Sequence, residues 1–223
     1  MIKVERVEVY GWEAAIRGMR NPLNSWDKSD SAFGCDDYDN CHTCPYYDIG
    51  CNPLQGLYIG KNDLKLMKSL SKAGADHGKF LRMINVTLDV TAPLYWWKEF
   101  DTYKVGTVTN SCSTMHKIQS KEFTMDDFSC EMLSIPAKNQ LRHLVEFLEK
   151  RRGEYNRTKD KRTWWDMIQL LPSSYNQKRT VQLNYQVLKS MYFARRNHKL
   201  DEWIEFCKWC ETLPYFKEIV IQE

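Results

Sequence analysis

The sequence lacks the motifs that identify several large enzyme classes. It contains no Gly-rich phosphate loop, no G-x-S-x-G nucleophile elbow and no H-E-x-x-H zinc motif. It also has no pair of carboxylates at helical spacing that would indicate glycosidase chemistry. P-loop NTPases, α/β-hydrolases and zincin-type proteases are therefore not indicated by this chain.

A large charge excess and long apolar runs are absent as well. The net charge is only +3, too small to indicate a nucleic-acid-binding protein. No apolar run approaches transmembrane length, and the opening residues MIKVERVEVY lack the apolar segment of a signal peptide. We therefore expect a cytoplasmic protein without a membrane partner, whose eight cysteines are thiols or metal ligands rather than a disulfide framework.

Hydrophobic periodicity predicts a single α+β domain over residues 1–223. Strands are predicted at about 4–11, 84–90 and 179–183. Helices are predicted at about 13–19, 62–74, 93–103, 137–152, 162–171, 185–195 and 200–213. Asn62 or Asp63 is the expected N-cap of the second helix, and Gly74 its end.

Residues 24–57 form a polar, Cys-rich segment that interrupts this pattern. Cys41 and Cys44 have the C-x-x-C spacing with which two thiolates bind one tetrahedral ion, and Cys35 and Cys51 flank them. A structural zinc would supply folding energy that the few apolar residues cannot. The alternative is a loop with free thiols. If zinc binds, this segment is also a possible interaction surface.

A second C-x-x-C, Cys207 and Cys210, lies in the predicted helix WIEFCKWCETL. Redox-active pairs of this type lie at the start of a helix after a strand, whereas this pair is in mid-helix among aromatic residues. We therefore predict two buried core cysteines.

The segment Thr91–Lys117 is the most informative part of the chain. It begins with a helix rich in aromatic residues and continues, after Gly106, into a run of Ser, Thr and Cys. Bulky side chains followed by short hydrogen-bonding ones are typical of a pocket wall beside a polar ligand. A buried helix followed by a cap explains the same pattern.

Three single residues in the sequence each have two interpretations. Lys104 and Arg195 could bind a phosphate or the carbonyl edge of a pyrimidine, or they could be solvated. His77, in the loop after Gly74, could contact a ligand or be solvated.

The order of these features resembles that of the flavin-dependent thymidylate synthase family. The shared features are a helix ending in Lys-Ala-Gly at residues 72–74, a loop with His77, a strand, Ala92-Pro93, and the aromatic helix with its Ser/Thr loop. In that family the signature R-H-R-x-x-S-x-N-E-x-S-x-R-Y follows the helix. When Ala92-Pro93 is aligned with the equivalent pair of the family, the alignment continues through Met115 without a gap.

The C-terminal part resembles the same family independently. Leu171-Pro172, Asn184, Leu188 and Arg195 match its L-P…N-x-R…L-R block at the same offsets. The resemblance covers Tyr58 to about Lys117 and Leu171 to about Leu213, and residues 24–57 are an insertion.

The charged residues of the signature are replaced in this chain. Thr102-Tyr103-Lys104 stands in place of R-H-R, and Thr107 in place of the serine. The run from Thr109 to Met115 replaces N-E-x-S-x-R-Y, and Gln186 replaces the arginine of N-x-R. Ile168 lies near the position of another family arginine.

The resemblance implies an α+β fold with an antiparallel or mixed sheet and packed helices. It implies reductive methylation of dUMP, with methylenetetrahydrofolate as carbon donor, FAD as cofactor and NADPH as reductant, in a homotetramer. Nucleotide contacts would fall on Lys104, Thr107, Cys112, Ser113 and Arg195, with Arg195 also in the catalytic role, and flavin contacts on His77 and Asn184. Since several arginines are missing, a member that binds a nucleotide or a protein partner without turnover is the alternative.

Overall fold

The structure is a computed structural model that describes residues 2–33 and 56–222. Its strands are β1 (Lys3–Tyr10), β2 (Ala32–Phe33), β3 (Leu57–Tyr58), β4 (Asn85–Pro93), β5 (Val108–Ser111) and β6 (Asn176–Asn184). Its α-helices are α1 (Trp12–Arg20), α2 (Lys61–Lys72), α3 (Leu94–Phe100), α4 (Ile135–Thr158), α5 (Lys161–Leu170), α6 (Tyr185–Arg195) and α7 (Asp201–Cys210). None of the helices in these ranges is long and apolar enough to cross a membrane.

Strands β1, β4, β6 and β5 form one sheet in that order, and β2 pairs with β3. The β5–β6 pair is antiparallel, with Val108 opposite Gln182 and Ser111 opposite Arg179. The predicted α+β fold, with an antiparallel or mixed sheet and packed helices, is confirmed. The prediction that the Ser/Thr run is a loop is wrong at β5, because all four residues of this edge strand are exposed and show no apolar alternation.

The described residues form two compact units. The first comprises the described parts of 1–7, 87–182 and 199–205, and the second those of 8–86, 183–198 and 206–223. One domain over 1–223, with an insertion at 24–57, stays a prediction.

The first unit has two apolar clusters. In one, α4 and α5 pack against the loop before them through seven buried residues: Ile118, Phe123, Phe128, Leu141, Val145, Leu148 and Met167. In the other, Trp96 of α3 packs against Trp97 and Trp203, with ring centroids 4.9 and 4.7 Å apart. The Trp96 and Trp97 side chains are at most 1% exposed, so this part of the aromatic helix belongs to the core and does not line a pocket.

The second unit is organised around Tyr185 at the start of α6. Its ring and that of Trp12 form a T-shaped pair with ring centroids 5.3 Å apart. Its hydroxyl donates to the Pro214 carbonyl at 2.7 Å. Gly11, before α1, has φ +94°, and a Cβ there would lie 2.1 Å from the Met83 carbonyl oxygen. Only glycine therefore fits at this turn.

Cys207 and Cys210 are 3% and 0% exposed, which confirms that they are core cysteines. Burial raises the pKa of the Cys207 thiol to about 11, with a further rise from Glu211 and an opposing effect of Arg195. Burial also raises the pKa of the Cys210 thiol, so both thiols stay protonated and unreactive at neutral pH.

A buried ion pair connects α1 to α2 in the second unit. Arg20 Nε donates to Asp63 Oδ1 at 2.6 Å, and both side chains are almost fully buried. The other Asp63 oxygen accepts from the hydroxyls of Ser29 and Ser31, each at 2.7 Å. The remaining Arg20 donors bind the carbonyls of Ser25 and Lys28 at 3.0 Å. Every charge in this pair is thus hydrogen-bonded.

The prediction that Asn62 or Asp63 caps α2 is wrong, because the cap comes from elsewhere in the chain. The carboxylate of Asp30 accepts from the backbone N–H groups of Asn62 and Asp63 at 2.9 and 3.1 Å. A Cβ at Gly60 would lie 2.3 Å from the Asp30 carbonyl oxygen, so glycine at this position permits the close approach.

We expect Asp63→Asn to destabilise the protein by about 3–5 kcal/mol at pH 7, because the charge of Arg20 would stay buried without its partner. Burial alone would raise the pKa of Asp63, but hydrogen bonds from Ser31, Ser29 and Arg20 lower it below its ordinary value. The stabilisation is therefore present above the unfolded-state pKa and lost as pH falls through the lower folded-state pKa.

Urea unfolding from pH 7 down to pH 3 measures this effect, with Glu13→Gln in an exposed pair as the control. The difference in unfolding free energy between Asp63→Asn and the natural protein should shrink below pH of about 4. If Asp63→Asn and the natural protein have nearly the same unfolding free energy at pH 7, the proposed stabilising role of the Arg20–Asp63 ion pair is wrong.

Candidate functional site

A cleft of about 690 Å³ opens in the first unit. We name it the Cys112 cleft. Its wall consists of three stretches of chain: residues 112–114 after β5, residues 117–127 in the following loop, and residues 175–178 at the start of β6. Lys3, Glu5 and Thr91 complete the lining. The volume is within the range of small-molecule sites.

Hydrogen bonds to β6 fix Cys112 at the wall of the cleft. Its N–H donates to the Lys178 carbonyl at 2.9 Å, and its own carbonyl accepts from Gln177 Nε2 at 2.7 Å. The Gln177 carbonyl in turn accepts from the indole N–H of Trp97 at 2.9 Å. The Cys112 thiol is free and exposed, so it faces the solvent rather than the core.

Ser113 forms a tight turn at the edge of the cleft. Its Oγ accepts from the backbone N–H groups of Met115 and His116 at 3.2 and 2.8 Å. As an acceptor in both bonds, the hydroxyl keeps its own proton for a ligand. The turn directs the chain from β5 into Lys117 and the next loop.

Three of the four lysines of the Cys112 cleft are paired with carboxylates. Lys3 lies 2.8 Å from Glu5, and Lys178 lies 3.1 Å from Asp89. Lys121 is hydrogen-bonded to Asp127. Hydrogen bonds from Thr180 and Lys178 lower the pKa of Asp89, so this carboxylate stays ionised and neutralises Lys178 at physiological pH.

Tyr175 lies at the wall of the Cys112 cleft with its ring against Phe123 and Phe128. Burial raises the pKa of its hydroxyl, and the charges of Asp127 and Cys112 raise it further. The hydroxyl therefore stays protonated near neutral pH and can donate a hydrogen bond.

Lys104 and Thr107, predicted beside Cys112 and Ser113, line a separate pocket of the first unit. Its volume is about 150 Å³, and Phe100, Asp101 and Tyr103 are among its other lining residues. The Oγ1 atom of Thr107 is buried without a hydrogen-bond partner among the described residues. The pocket is too small for a nucleotide, but it has room for a water or a small polar group at this hydroxyl.

His77 lies in the second unit, where it lines a cleft of about 520 Å³. This His77 cleft has a mainly apolar lining, which includes Leu66, Leu70 and Phe80, and the polar side chains of Asp76 and Lys79 also border it. An apolar cleft with a few polar groups at its border suits an aromatic ring system.

Asn184 and Arg195 lie at opposite ends of α6. The Asn184 side chain caps the helix, because its Oδ1 accepts from the Val187 N–H at 3.0 Å. Its amide nitrogen is then the group available to a ligand. Arg195 is half-buried in the last turn, close enough to Cys207 to act on that thiol's pKa.

Cys35, Cys41, Cys44 and Cys51 lie outside the described residues. Within 2–33 and 56–222, no group of three or more His, Cys, Asp or Glu side chains is arranged to bind a metal ion. The predicted zinc ligands therefore stay a prediction.

The sequence predictions missed the side of the Cys112 cleft that β6 contributes. Tyr175, Gln177 and Lys178 follow Leu171-Pro172, which the family block includes, but they carry no motif of their own. Only the antiparallel pairing of β5 with β6, across more than sixty residues of sequence, places them beside Cys112.

The sequence matches no protein-family model and no curated protein. Solved structures do match. Flavin-dependent thymidylate synthase ThyX from Helicobacter pylori, complexed with FAD and dUMP, aligns with a TM-score of 0.65 and 14% identity, over 98% of this chain and 97% of that chain. A second structure of that protein with FAD and dUMP aligns with a TM-score of 0.64 and 14% identity, over the same shares of the two chains.

A third match is the UMP/dUMP methylase PolB from Streptomyces cacaoi, bound with 5-Br dUMP. Its TM-score is 0.56 at 15% identity, over 98% of this chain and 94% of that chain. Over nearly its whole length, the chain thus has the fold of flavin-dependent thymidylate synthases, as the sequence resemblance implied.

Proposed function

We propose that this protein is a flavin-dependent thymidylate synthase-like nucleotide methylase. It would methylate dUMP or a related pyrimidine nucleotide reductively, with methylenetetrahydrofolate, FAD and NADPH. The observation that carries the proposal is the Cys112 cleft, which the segment aligned with the family signature helps to form. The fold supports it, since the matched structures hold FAD with dUMP, or 5-Br dUMP.

The lining of the Cys112 cleft suits a pyrimidine nucleotide. A uracil ring presents two carbonyl acceptors and one N–H donor. The Tyr175 hydroxyl is a donor, and Asn176 offers its amide nitrogen because its Oδ1 accepts from Ser129 at 2.8 Å. These groups would bind and orient the ring.

The His77 cleft fits the ring system of FAD. Leu66, Leu70 and Phe80 offer an apolar surface for the flat ring, and Lys79 offers a positive charge for the diphosphate. His77 would add a hydrogen bond. Asn184 does not line this cleft, and its amide nitrogen stays a proposed flavin contact by the family resemblance alone. When bound, FAD supplies the hydride of the reductive step.

The second candidate is a protein of this fold that binds a nucleotide or a protein partner without turnover. Two observations favour it. The signature's arginines are absent, and three of the four lysines in the Cys112 cleft are neutralised by carboxylates. Each lost charge-assisted hydrogen bond would remove about 1.5–3 kcal/mol of nucleotide binding.

The homotetramer and the cytoplasmic location implied by the sequence belong to the same proposal. Sedimentation equilibrium of the purified protein tests the tetramer directly.

The enzyme proposal predicts a yellow purified protein, or one that binds added FAD with the absorption bands of a flavin. It also predicts dTMP formation from dUMP, methylenetetrahydrofolate and NADPH, measured by chromatography. His77→Ala should weaken FAD binding, and exposed His143→Ala should not. A colourless protein that does not bind FAD would sink the enzyme proposal, and FAD binding without turnover would favour the second candidate.

Arg195 does not line the Cys112 cleft, and the family resemblance alone makes it the proposed catalytic and pyrimidine-binding residue. We expect Arg195→Ala to abolish dUMP binding in calorimetry, because a guanidinium on a carbonyl edge forms charge-assisted hydrogen bonds. Arg196→Ala is the matched control, since its guanidinium stacks on Phe193 at 5.3 Å. Undiminished binding by Arg195→Ala would remove this residue from the site.

We also propose that Cys35, Cys41, Cys44 and Cys51 bind a structural zinc ion. The C-x-x-C spacing supports this. So does the β2–β3 pair, in which Ala32 faces Tyr58 and Phe33 faces Leu57, because it brings the two flanks of the segment together.

Metal analysis of the purified protein should find about one zinc per chain, because four thiolates complete a tetrahedral site. The double change Cys41→Ser and Cys44→Ser should remove it. Cys112→Ser should leave the zinc content unchanged, since that thiol lies outside the cluster. Zinc that persists after the double change would refute the assignment.

A further inference from the structure

Lys117 carries a positive charge at the border of the Cys112 cleft, and no carboxylate among the described residues neutralises it. Lys3, Lys121 and Lys178 each have an acidic partner. Within the described residues, no acidic side chain lies within ion-pair distance of Lys117, although it lines the same cleft. An anion bound in this cleft would therefore gain the most electrostatic stabilisation beside Lys117.

The backbone on which Lys117 stands is held firmly. Its carbonyl accepts from both the N–H and the hydroxyl of Ser120, at 3.0 and 2.6 Å. The next residue, Ile118, is 5% exposed and belongs to the core of α4 and α5. Two residues earlier, the Met115 carbonyl accepts from the Trp164 indole at 3.2 Å. A ligand would thus need to order only the lysine side chain.

The charges of the Cys112 cleft restrict where an anionic group can bind. Glu5, Glu122, Asp126 and Asp127 line it together with the lysines. Near these carboxylates a phosphate is repelled, unless a cation compensates. At Lys117 it meets an ammonium that has no acidic partner in the described part of the chain, and an ammonium binds phosphate as a point charge.

The Ser113 turn supplies a second group for the same anion. Its hydroxyl accepts from the N–H groups of Met115 and His116 and so retains its proton for donation. Ser113 and Lys117 belong to one short connection and line one cleft.

Building on the proposed function, we propose that Lys117 binds the phosphate group of the pyrimidine nucleotide, with the Ser113 hydroxyl as a second donor. One lysine then takes over phosphate binding in a chain that lacks the signature's arginines. A lysine does not form the fixed two-bond fork of an arginine. Binding of the nucleotide should therefore depend strongly on the salt concentration. The charged nucleotide should also bind more tightly than the same nucleoside without its phosphate.

The test compares dUMP with deoxyuridine, which lacks the phosphate, in the full-length protein by calorimetry. The variants are Lys117→Met, Lys117→Arg and, as a matched control, Lys150→Met. Lys150 is an exposed lysine of α4 that does not line the cleft. The dissociation constants of both ligands, for the natural protein and for the three variants, are measured at low and at physiological salt.

Lys117→Met should weaken dUMP binding by at least about tenfold, the effect of losing one charge-assisted hydrogen bond. It should leave the deoxyuridine constant within about twofold, reduce the salt dependence of dUMP binding, and be largely rescued in Lys117→Arg. Lys150→Met should leave the dissociation constants of both ligands unchanged.

Two results would overturn the assignment of Lys117 and leave the proposed function standing. One is dUMP binding by Lys117→Met that equals that of Lys150→Met. The other is an equal loss of dUMP and deoxyuridine, since a phosphate contact cannot act on a ligand without phosphate. A natural protein that binds neither ligand would overturn both the assignment and the proposed function.

Discussion

The Cys112 cleft depends on the buried residue Gln177. Its side-chain amide donates to the Cys112 carbonyl, its side-chain oxygen accepts from Arg179 Nε at 3.0 Å, and its backbone carbonyl accepts from the Trp97 indole. Arg179 stacks 4.2 Å above Trp97 and pairs with Asp101 at 2.7 Å. If β5 slipped by one residue along β6, the contact from Gln177 to Cys112 would break, and the side chains of β5 would turn to the opposite face of the sheet.

This arrangement separates the parts of the Thr91–Lys117 segment. The tryptophans of α3 are core and provide the anchor, whereas the residues after β5 line the cleft. The buried-helix interpretation is confirmed for α3, whereas the interpretation as a pocket wall beside a polar ligand stays a prediction for the residues after β5. An aromatic helix before a run of Ser and Thr does not by itself show which side chains face a ligand.

Most helices and the long strands could be predicted, because their apolar periodicity is strong. Strand β5 could not, since an exposed edge strand needs no apolar alternation and its partner, β6, is remote in sequence. The cap of α2 was missed for a related reason: Asp30 reaches it through tertiary packing. Local sequence can only suggest caps from neighbouring residues.

The site was less predictable than the fold. The resemblance led to Cys112 and Ser113, which line one cleft, and to Lys104 and Thr107, which line another. The importance of Lys117 rests on what is absent around it, a partner among the described residues, and no motif encodes this. The fold of the family is thus retained in this chain, whereas the charges expected at its nucleotide site are not.

Hydrogen–deuterium exchange with and without dUMP tests the central claim, that the Cys112 cleft is the nucleotide site. We expect dUMP to slow exchange in the backbone of residues 108–121 and 175–178, because a bound nucleotide would cover the amides of both walls. Binding of dUMP that leaves both stretches unchanged would contradict it.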